Sequence, residues 1–136
     1  MVLKPEQRIA KDCDRLFKSK GWLVCKLHGN VFQRGLPDRY LHHVEFGPRW
    51  VDFKVPRKGR LTRAQIRMWP LFEKVGCGIW ILTRPEDYDL LFTDPNWRDF
   101  WRPSYDAAVD LTPILRKKQG AKNDTNKTGT ENKKGH

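Results

Sequence analysis

Between residues 35 and 65 the chain reads GLPDRYLHHVEFGPRWVDFKVPRKGRLTRAQ, two short apolar-rich runs with a glycine–proline break between them. In the second run Asp52 and Lys54 are two residues apart. Strand side chains alternate between the two faces of a sheet, so these two charged residues share one face and Val51 and Phe53 share the other. Charges on a partly buried strand are costly without partners. The pattern therefore predicts a metal ion or a phosphate group beside this strand.

The break at Gly47-Pro48 is a strong turn signal and predicts a β-hairpin. Its strands are expected to run from about Arg39 to Phe46 and from about Arg49 to Val55. Asp38, at the start of the first strand, would then lie near Asp52, towards the end of the second. Two converging carboxylates suit Mg²⁺, which uses one or two carboxylates together with waters and substrate phosphate oxygens.

Basic residues surround this pair of acids. The segment from Lys54 to Arg67 holds six basic residues and no acidic one. Basic residues beside a two-carboxylate site would supply the electrostatic attraction that dominates nucleic-acid affinity. A solvated basic loop is the alternative. The candidate phosphate contacts are Arg34, Arg57, Lys58, Arg60 and Arg63.

Two helices are predicted from their end signals. Pro5 begins the first, which carries apolar residues at helical spacing and ends at Gly21. Glu6, in its first turn, either interacts with the helix dipole or points over the sheet edge towards the hairpin acids. Thr62 and Gln65 form a capping box that begins the second helix. That helix should be kinked near Pro70 and should end at Gly76.

The remaining elements complete an α/β order of helix, three strands, helix, strand, helix. Residues 22–27 should form the first strand and residues 79–82 an interior strand covered on both faces, and Pro85 should open a short helix. The aromatic residues 97–105 could cap the core, form a dimer contact or stack on bases. We expect one domain over residues 1–115 and a disordered basic tail over residues 116–136, which holds seven basic and two acidic residues.

The composition of the chain indicates which kind of binding partner to expect. The chain has 136 residues, a formal net charge of +11 and a sequence pI near 9.9, which favours a polyanion such as DNA. Three widely spaced cysteines indicate neither a disulfide framework nor a zinc site. His28, His42 and His43 are best explained as ordinary polar residues. The sequence shows no membrane-length apolar run and no signal peptide, so we expect a soluble cytoplasmic protein. We also expect no small-molecule cofactor.

The ordered set of motifs resembles the PD-(D/E)XK nuclease superfamily, and most closely its VRR-NUC branch of phage and bacterial nucleases related to Holliday junction resolvases. The resemblance rests on Gly35-Leu36-Pro37-Asp38, Asp52-Phe53-Lys54, Gln65 and Glu6, and covers residues 5–91. It implies a restriction-endonuclease-like fold with a mixed central sheet. The second acid is Asp52 where this branch more often has Glu, which shortens the reach to the metal.

The resemblance also implies residue roles. Asp38, Asp52 and the Phe53 carbonyl would hold Mg²⁺, for which Mn²⁺ could substitute. Glu6 would ligate a second ion or orient a water, Lys54 would stabilise developing charge, and Gln65 would lie at the site.

The expected activity is hydrolysis of DNA phosphodiesters, selective for branched, flap or junction DNA, in recombination or repair. Symmetrical junction cutting would require a homodimer. The alternatives are a non-catalytic basic DNA-binding protein and a sequence-specific restriction-type nuclease.

Overall fold

The computed structural model describes residues 2–27 and 34–107. The chain divides into two compact units, residues 1–102 and residues 103–136. The described part of the second unit is a 3₁₀ helix, Pro103–Ala107. The tail over 116–136, the boundary at 115, His28 and most of the loop before Gly35 lie outside the described residues, so the predictions made for them stay predictions.

The first unit is an α/β domain with a four-stranded mixed sheet, as the sequence predicted. The strands lie in the order β1-β2-β3-β4, with antiparallel pairing from β1 to β3 and parallel pairing between β3 and β4. The elements are α1 (Pro5–Ser19), β1 (Leu23–Lys26), β2 (Arg39–His43), β3 (Gly47–Phe53), α2 (Arg63–Lys74), β4 (Ile79–Leu82) and two 3₁₀ helices, Pro85–Phe92 and Trp97–Phe100. The helix predicted at Pro85 is thus a 3₁₀ helix. Within the described residues, no helix combines the length and apolarity needed to span a bilayer.

The hairpin forms as predicted, but its turn lies earlier. Residues 44–46 make the turn, and Gly47 and Pro48 already belong to β3, opposite His43 and His42. Gly47 has a φ of 78°, which a glycine adopts without steric cost and which directs the chain into the strand. Pro48 is tolerated because β4 pairs with β3 only from Trp50 onward, so no ladder hydrogen bond to β4 is lost there.

The sheet is covered on both faces. On one face α1 and the first 3₁₀ helix bury a core that includes Phe17, Leu41, Val51 and Phe53. On the other face α2 contributes Ile66 and Trp69, and its Phe72 ring packs on Trp50 with ring centroids 5.4 Å apart. Asp52 lies on the α2 face of β3, and Lys54 directly after the strand shares that face, because its N–H continues the pairing with β4 by donating to the Leu82 carbonyl.

β4 is buried along its whole length but is an edge strand of the sheet, not an interior one. The side chain of Asn96 protects this edge. Its Oδ1 accepts from the Ile81 N–H at 2.7 Å and its Nδ2 donates to the Ile81 carbonyl at 3.0 Å. A side-chain amide thus satisfies the backbone groups that a fifth strand would otherwise pair.

The aromatic segment that follows contributes to the core. Trp97 is 1% exposed, and its ring lies edge-on to the rings of Trp69 and Trp101. The first of the three interpretations of this segment, a role in the core, is therefore confirmed for Trp97.

Candidate metal and nucleic-acid site

The β2–β3 register brings the two acids of the hairpin together. Arg39 pairs with Val51, so Asp38 and Asp52 lie one residue further along the two strands. The Asp38 N–H donates to Asp52 Oδ1 at 3.1 Å, and the Phe53 N–H donates to Asp38 Oδ2 at 3.0 Å. Each carboxylate thus accepts a backbone hydrogen bond from the other strand, which fixes the position of both.

A buried polar network surrounds Asp52. The Lys54 ammonium lies 2.9 Å from Asp52 Oδ2 and donates to Gln65 Oε1, also at 2.9 Å. Gln65 Nε2 in turn donates to Asp52 Oδ1 at 3.3 Å. Asp52, Lys54 and Gln65 are 0%, 5% and 6% exposed, respectively. An acid, a lysine and an amide are therefore held against one another beneath α2, where electrostatic interactions are stronger than in water.

One atom of this network lacks a hydrogen bond. Asp52 Oδ2 is buried and has ion-pair contact with Lys54, but no donor in the described residues reaches it with hydrogen-bond geometry. Burial and the neighbouring Asp38 carboxylate raise the pKa of Asp52 to about 8, and Lys54 lowers it. A cation between the two carboxylates would oppose both pKa-raising effects. The donor set therefore suits a hard cation with oxygen ligands.

The side chains present would hold such a cation only in part. Among residues 2–27 and 34–107, no group of three or more His, Cys, Asp or Glu side chains could hold a metal ion. Mg²⁺ typically binds one or two protein carboxylates, while waters and substrate phosphates complete its shell. Asp38 and Asp52 are the two carboxylates available.

Glu6 comes close to this site from the other side of the sheet. It is exposed in the first turn of α1, yet burial and the Asp38 carboxylate raise its pKa, whereas the Lys54 ammonium lowers it. The Glu6 carboxylate therefore lies near enough to Asp38 and Lys54 to feel the charges of both. A role for Glu6 at the hairpin acids stays a prediction.

The loop after Lys54 folds tightly against it. The Gly59 N–H donates to the Val55 carbonyl at 2.7 Å, and a Cβ at position 59 would lie 2.5 Å from Lys54 Cβ. Arg57, within this turn, has a φ of 66°, the left-handed conformation. The absence of a side chain on Gly59 thus allows the basic loop to pack on the stem of Lys54.

The five basic candidates fall into two groups. Arg34 and Arg63 line an open cleft of about 400 Å³ that also contains Asp38 and Gln65. Arg57, Lys58 and Arg60 are exposed on the loop and do not line this cleft.

Two arginines beside the site were not selected from the sequence. Arg67 lines a second cleft together with Arg34 and Arg63, and its spacing of four from Arg63 on one helix face was a usable signal. Arg39 donates to both carboxylate oxygens of Asp14 at 2.9 Å and to the Asp38 carbonyl at 2.9 Å. No local pattern links Arg39 to Asp14, 25 residues away.

Comparison with known proteins identifies the fold. Neither a protein-family model nor a curated protein sequence matches the chain. A solved structure described as a VRR_NUC domain matches with a TM-score of 0.56 and 24% sequence identity, and the match covers 66% of this chain and 96% of that one. The restriction-endonuclease-like fold expected from the sequence is therefore confirmed.

Proposed function

We propose that this chain, which has the fold of a VRR_NUC domain, is a metal-dependent nuclease that hydrolyses DNA phosphodiester bonds. The observation that carries the proposal is the buried contact of Asp52, Lys54 and Gln65 beside Asp38. Burying an acid and a lysine is costly, and an apolar replacement of similar volume is often as stable. Stability alone thus gives no reason for this network, whereas chemistry on a phosphate does.

Mg²⁺ would be held by Asp38, Asp52 and the backbone carbonyl of Phe53, with Mn²⁺ as a substitute. When bound, the ion would polarise the scissile phosphate and lower the pKa of a coordinated water. Asp52 Oδ2, which accepts no hydrogen bond among the described residues, is the oxygen best suited to bind it. Glu6, on α1, would orient the water or contribute to a second ion.

Lys54 would act on the reacting phosphate from a fixed position. Gln65 Oε1 and Asp52 Oδ2 both hold its ammonium at 2.9 Å. A donor fixed before the reaction stabilises charge that develops in the transition state without reorganisation at that moment. Gln65 positions Lys54, and the α2 capping box positions Gln65 through the Thr62 N–H at 3.0 Å.

DNA would reach the metal through the cleft lined by Arg34 and Arg63. Backbone contacts of this kind position DNA without reading its sequence. Because such contacts do not distinguish base sequences, we propose selectivity for DNA structure, such as branches, flaps or junctions. A homodimer would be needed only for symmetrical cutting of junctions.

A cleavage panel tests the proposal. Duplex, single-stranded, flap and four-way-junction DNA would be incubated with Mg²⁺, Mn²⁺ or EDTA. We expect Asp52→Asn to cut several orders of magnitude more slowly, because a proposed metal ligand is lost. Its DNA binding without metal should be retained, because a carboxylate that repels phosphate is removed. Lys54→Ala should lose roughly two to three orders of magnitude, as expected for one preorganised electrostatic stabiliser.

The matched controls are Asp89→Asn and Lys74→Ala, which change exposed residues outside the site. Both should cut at the wild-type rate. Folded wild-type protein that binds DNA but leaves all four substrates intact would instead establish a non-catalytic DNA-binding protein. If the two site variants cut like their controls, the nuclease centre lies elsewhere.

A further inference from the structure

A second basic groove lies on the α1 face of the sheet. It has a volume of about 530 Å³ and is open to solvent. Lys11, Arg15 and Lys18 follow one another at spacings of four and three, so they form one stripe along α1. Lys26, at the end of β1, and Arg39, at the start of β2, line the groove from the sheet side.

The charge of this groove is not compensated. Asp14, the acidic residue that lines the groove, is already bound at both oxygens by Arg39. Lys11, Arg15, Lys18 and Lys26 form no ion pair with any acid in the described part of the chain. Four positive charges therefore line a concave surface whose one carboxylate is occupied.

The groove and the proposed active site lie back to back at one end of the sheet. Lys26 lines the groove, and the next residue, Leu27, lines the cleft with Asp38. Arg39 lines the groove, and the Asp38 carbonyl accepts from both Arg39 Nη1 and the Leu27 N–H. The backbone that joins Lys26 to Leu27 and Asp38 to Arg39 thus runs between the groove and the cleft.

We infer that the α1 groove binds the phosphate backbone of the DNA strand that is not cut, so that the preferred substrate is paired on at least one side of the scissile bond. This inference rests on the proposed function. The two strands of B-DNA are separated by grooves about 6 and 12 Å wide. A duplex arm lying over this end of the sheet can place one strand in each basic cleft, whereas a lone single strand fills one.

The test uses a pair of double variants with equal loss of charge. Lys11→Gln with Arg15→Gln removes two charges from the groove. Lys74→Gln with Arg84→Gln removes one lysine and one arginine that line neither the groove nor the active-site cleft. All four residues are exposed, so both variants should fold, which circular dichroism checks. Affinity for a duplex and for one of its separated strands is measured in EDTA over a range of salt concentrations.

We expect the groove variant to reduce the slope of log affinity against log salt on duplex DNA by about 1.8, for two lost phosphate contacts. The control variant should leave that slope unchanged. On the single strand, the two variants should have the same affinity and the same salt slope. Two outcomes would overturn the inference: equal salt slopes for the two variants on duplex DNA, or a groove variant that loses as much affinity for the single strand as for the duplex.

The same proteins separate this inference from the proposed function. The binding measurement requires no metal and no cleavage. If wild type cuts nothing in Mg²⁺ or Mn²⁺ but the groove variant shows the duplex-specific change, the groove inference stands and the nuclease proposal fails. If wild type cuts DNA and the groove variant matches its control, only the groove inference fails.

Discussion

Gln65 combines a structural role and a place in the site in one side chain. Its backbone N–H donates to Thr62 Oγ1 at 3.1 Å and its Oε1 accepts from the Thr62 N–H, which completes the capping box of α2. The same Oε1 accepts from Lys54, and Nε2 donates to Asp52. The hydrogen bonds that begin α2 thus also hold the amide that contacts Lys54 and Asp52.

Gly59 offers a test of how finely Lys54 is positioned. In Gly59→Ala the new Cβ would meet Lys54 Cβ at 2.5 Å and the Val55 carbonyl at 2.9 Å, so the lysine stem must move. Overpacking of this kind typically costs about 1–3 kcal/mol. A displacement near 1 Å at a catalytic group can reduce the rate by roughly 10²-fold. We expect a lower Tm together with a large loss of kcat in the DNA cleavage assay.

Gly76→Ala is the matched control for this prediction. Gly76 has a φ of 86° and open space around it, so an alanine there is strained without touching a neighbour. It should lower the Tm while the kcat of the folded fraction stays at the wild-type value. Equal effects of the two variants on kcat would show that Gly59 acts through stability alone.

At the scale of elements, β3 and the loop behind it link the core to the charged surface. Phe53 is buried in the α1 core, Lys54 follows it in the site, and Arg57 and Lys58 are exposed a few residues later. The chain thus passes from apolar core to basic surface within six residues. Such a loop would present its charges close to the proposed metal site without burying them.

Reversing both loop charges, Arg57→Glu with Lys58→Glu, should weaken binding to every DNA by similar factors, because phosphate contacts carry no sequence information. Each lost contact should reduce the salt slope on duplex DNA by about 0.9. Lys74→Glu with Arg84→Glu supplies the same change of charge away from the site. A loop variant whose salt slope equals that of this control would place DNA elsewhere on the surface.

At the scale of the whole molecule, one sheet separates the proposed active site from the second basic groove. The α2 face holds the buried polar network, and the α1 face holds the main apolar core and the second basic groove. Both basic clefts lie where β1 ends and β2 begins, at the opposite side of the sheet from β4. Basic residues of both faces therefore flank the end of the sheet where the proposed substrate would lie.

The C-terminal residues 119–136 hold four basic and two acidic residues. Deletion of residues 119–136 should leave the Tm and the metal-dependent activity unchanged, because the segment offers almost no apolar residues for a core. General DNA affinity should fall, because cationic residues are lost. Thermal unfolding and a binding titration of the truncated protein measure both effects. A Tm several degrees lower would show that the segment packs on the domain.

The sequence by itself determined the features that depend on short-range geometry. Strand alternation placed Asp52 and Lys54 on one face, and a glycine stop and a capping box set the ends of α2. The hairpin and the four strands followed from apolar runs between turn signals. These features are local, because backbone dihedral preferences and side-chain periodicity act over a few residues.

Tertiary structure alone decided which distant residues meet. It joined Asp38 to Phe53, Lys54 to Gln65, and Arg39 to Asp14, contacts that span 15, 11 and 25 residues. It also made β4 an edge strand, moved the turn ahead of Gly47 and gave the segment after β4 a 3₁₀ form. Such outcomes depend on strand register and on helix packing across the sheet, which many residues determine together. The second groove is of this kind, since its charges come from one helix and two strands.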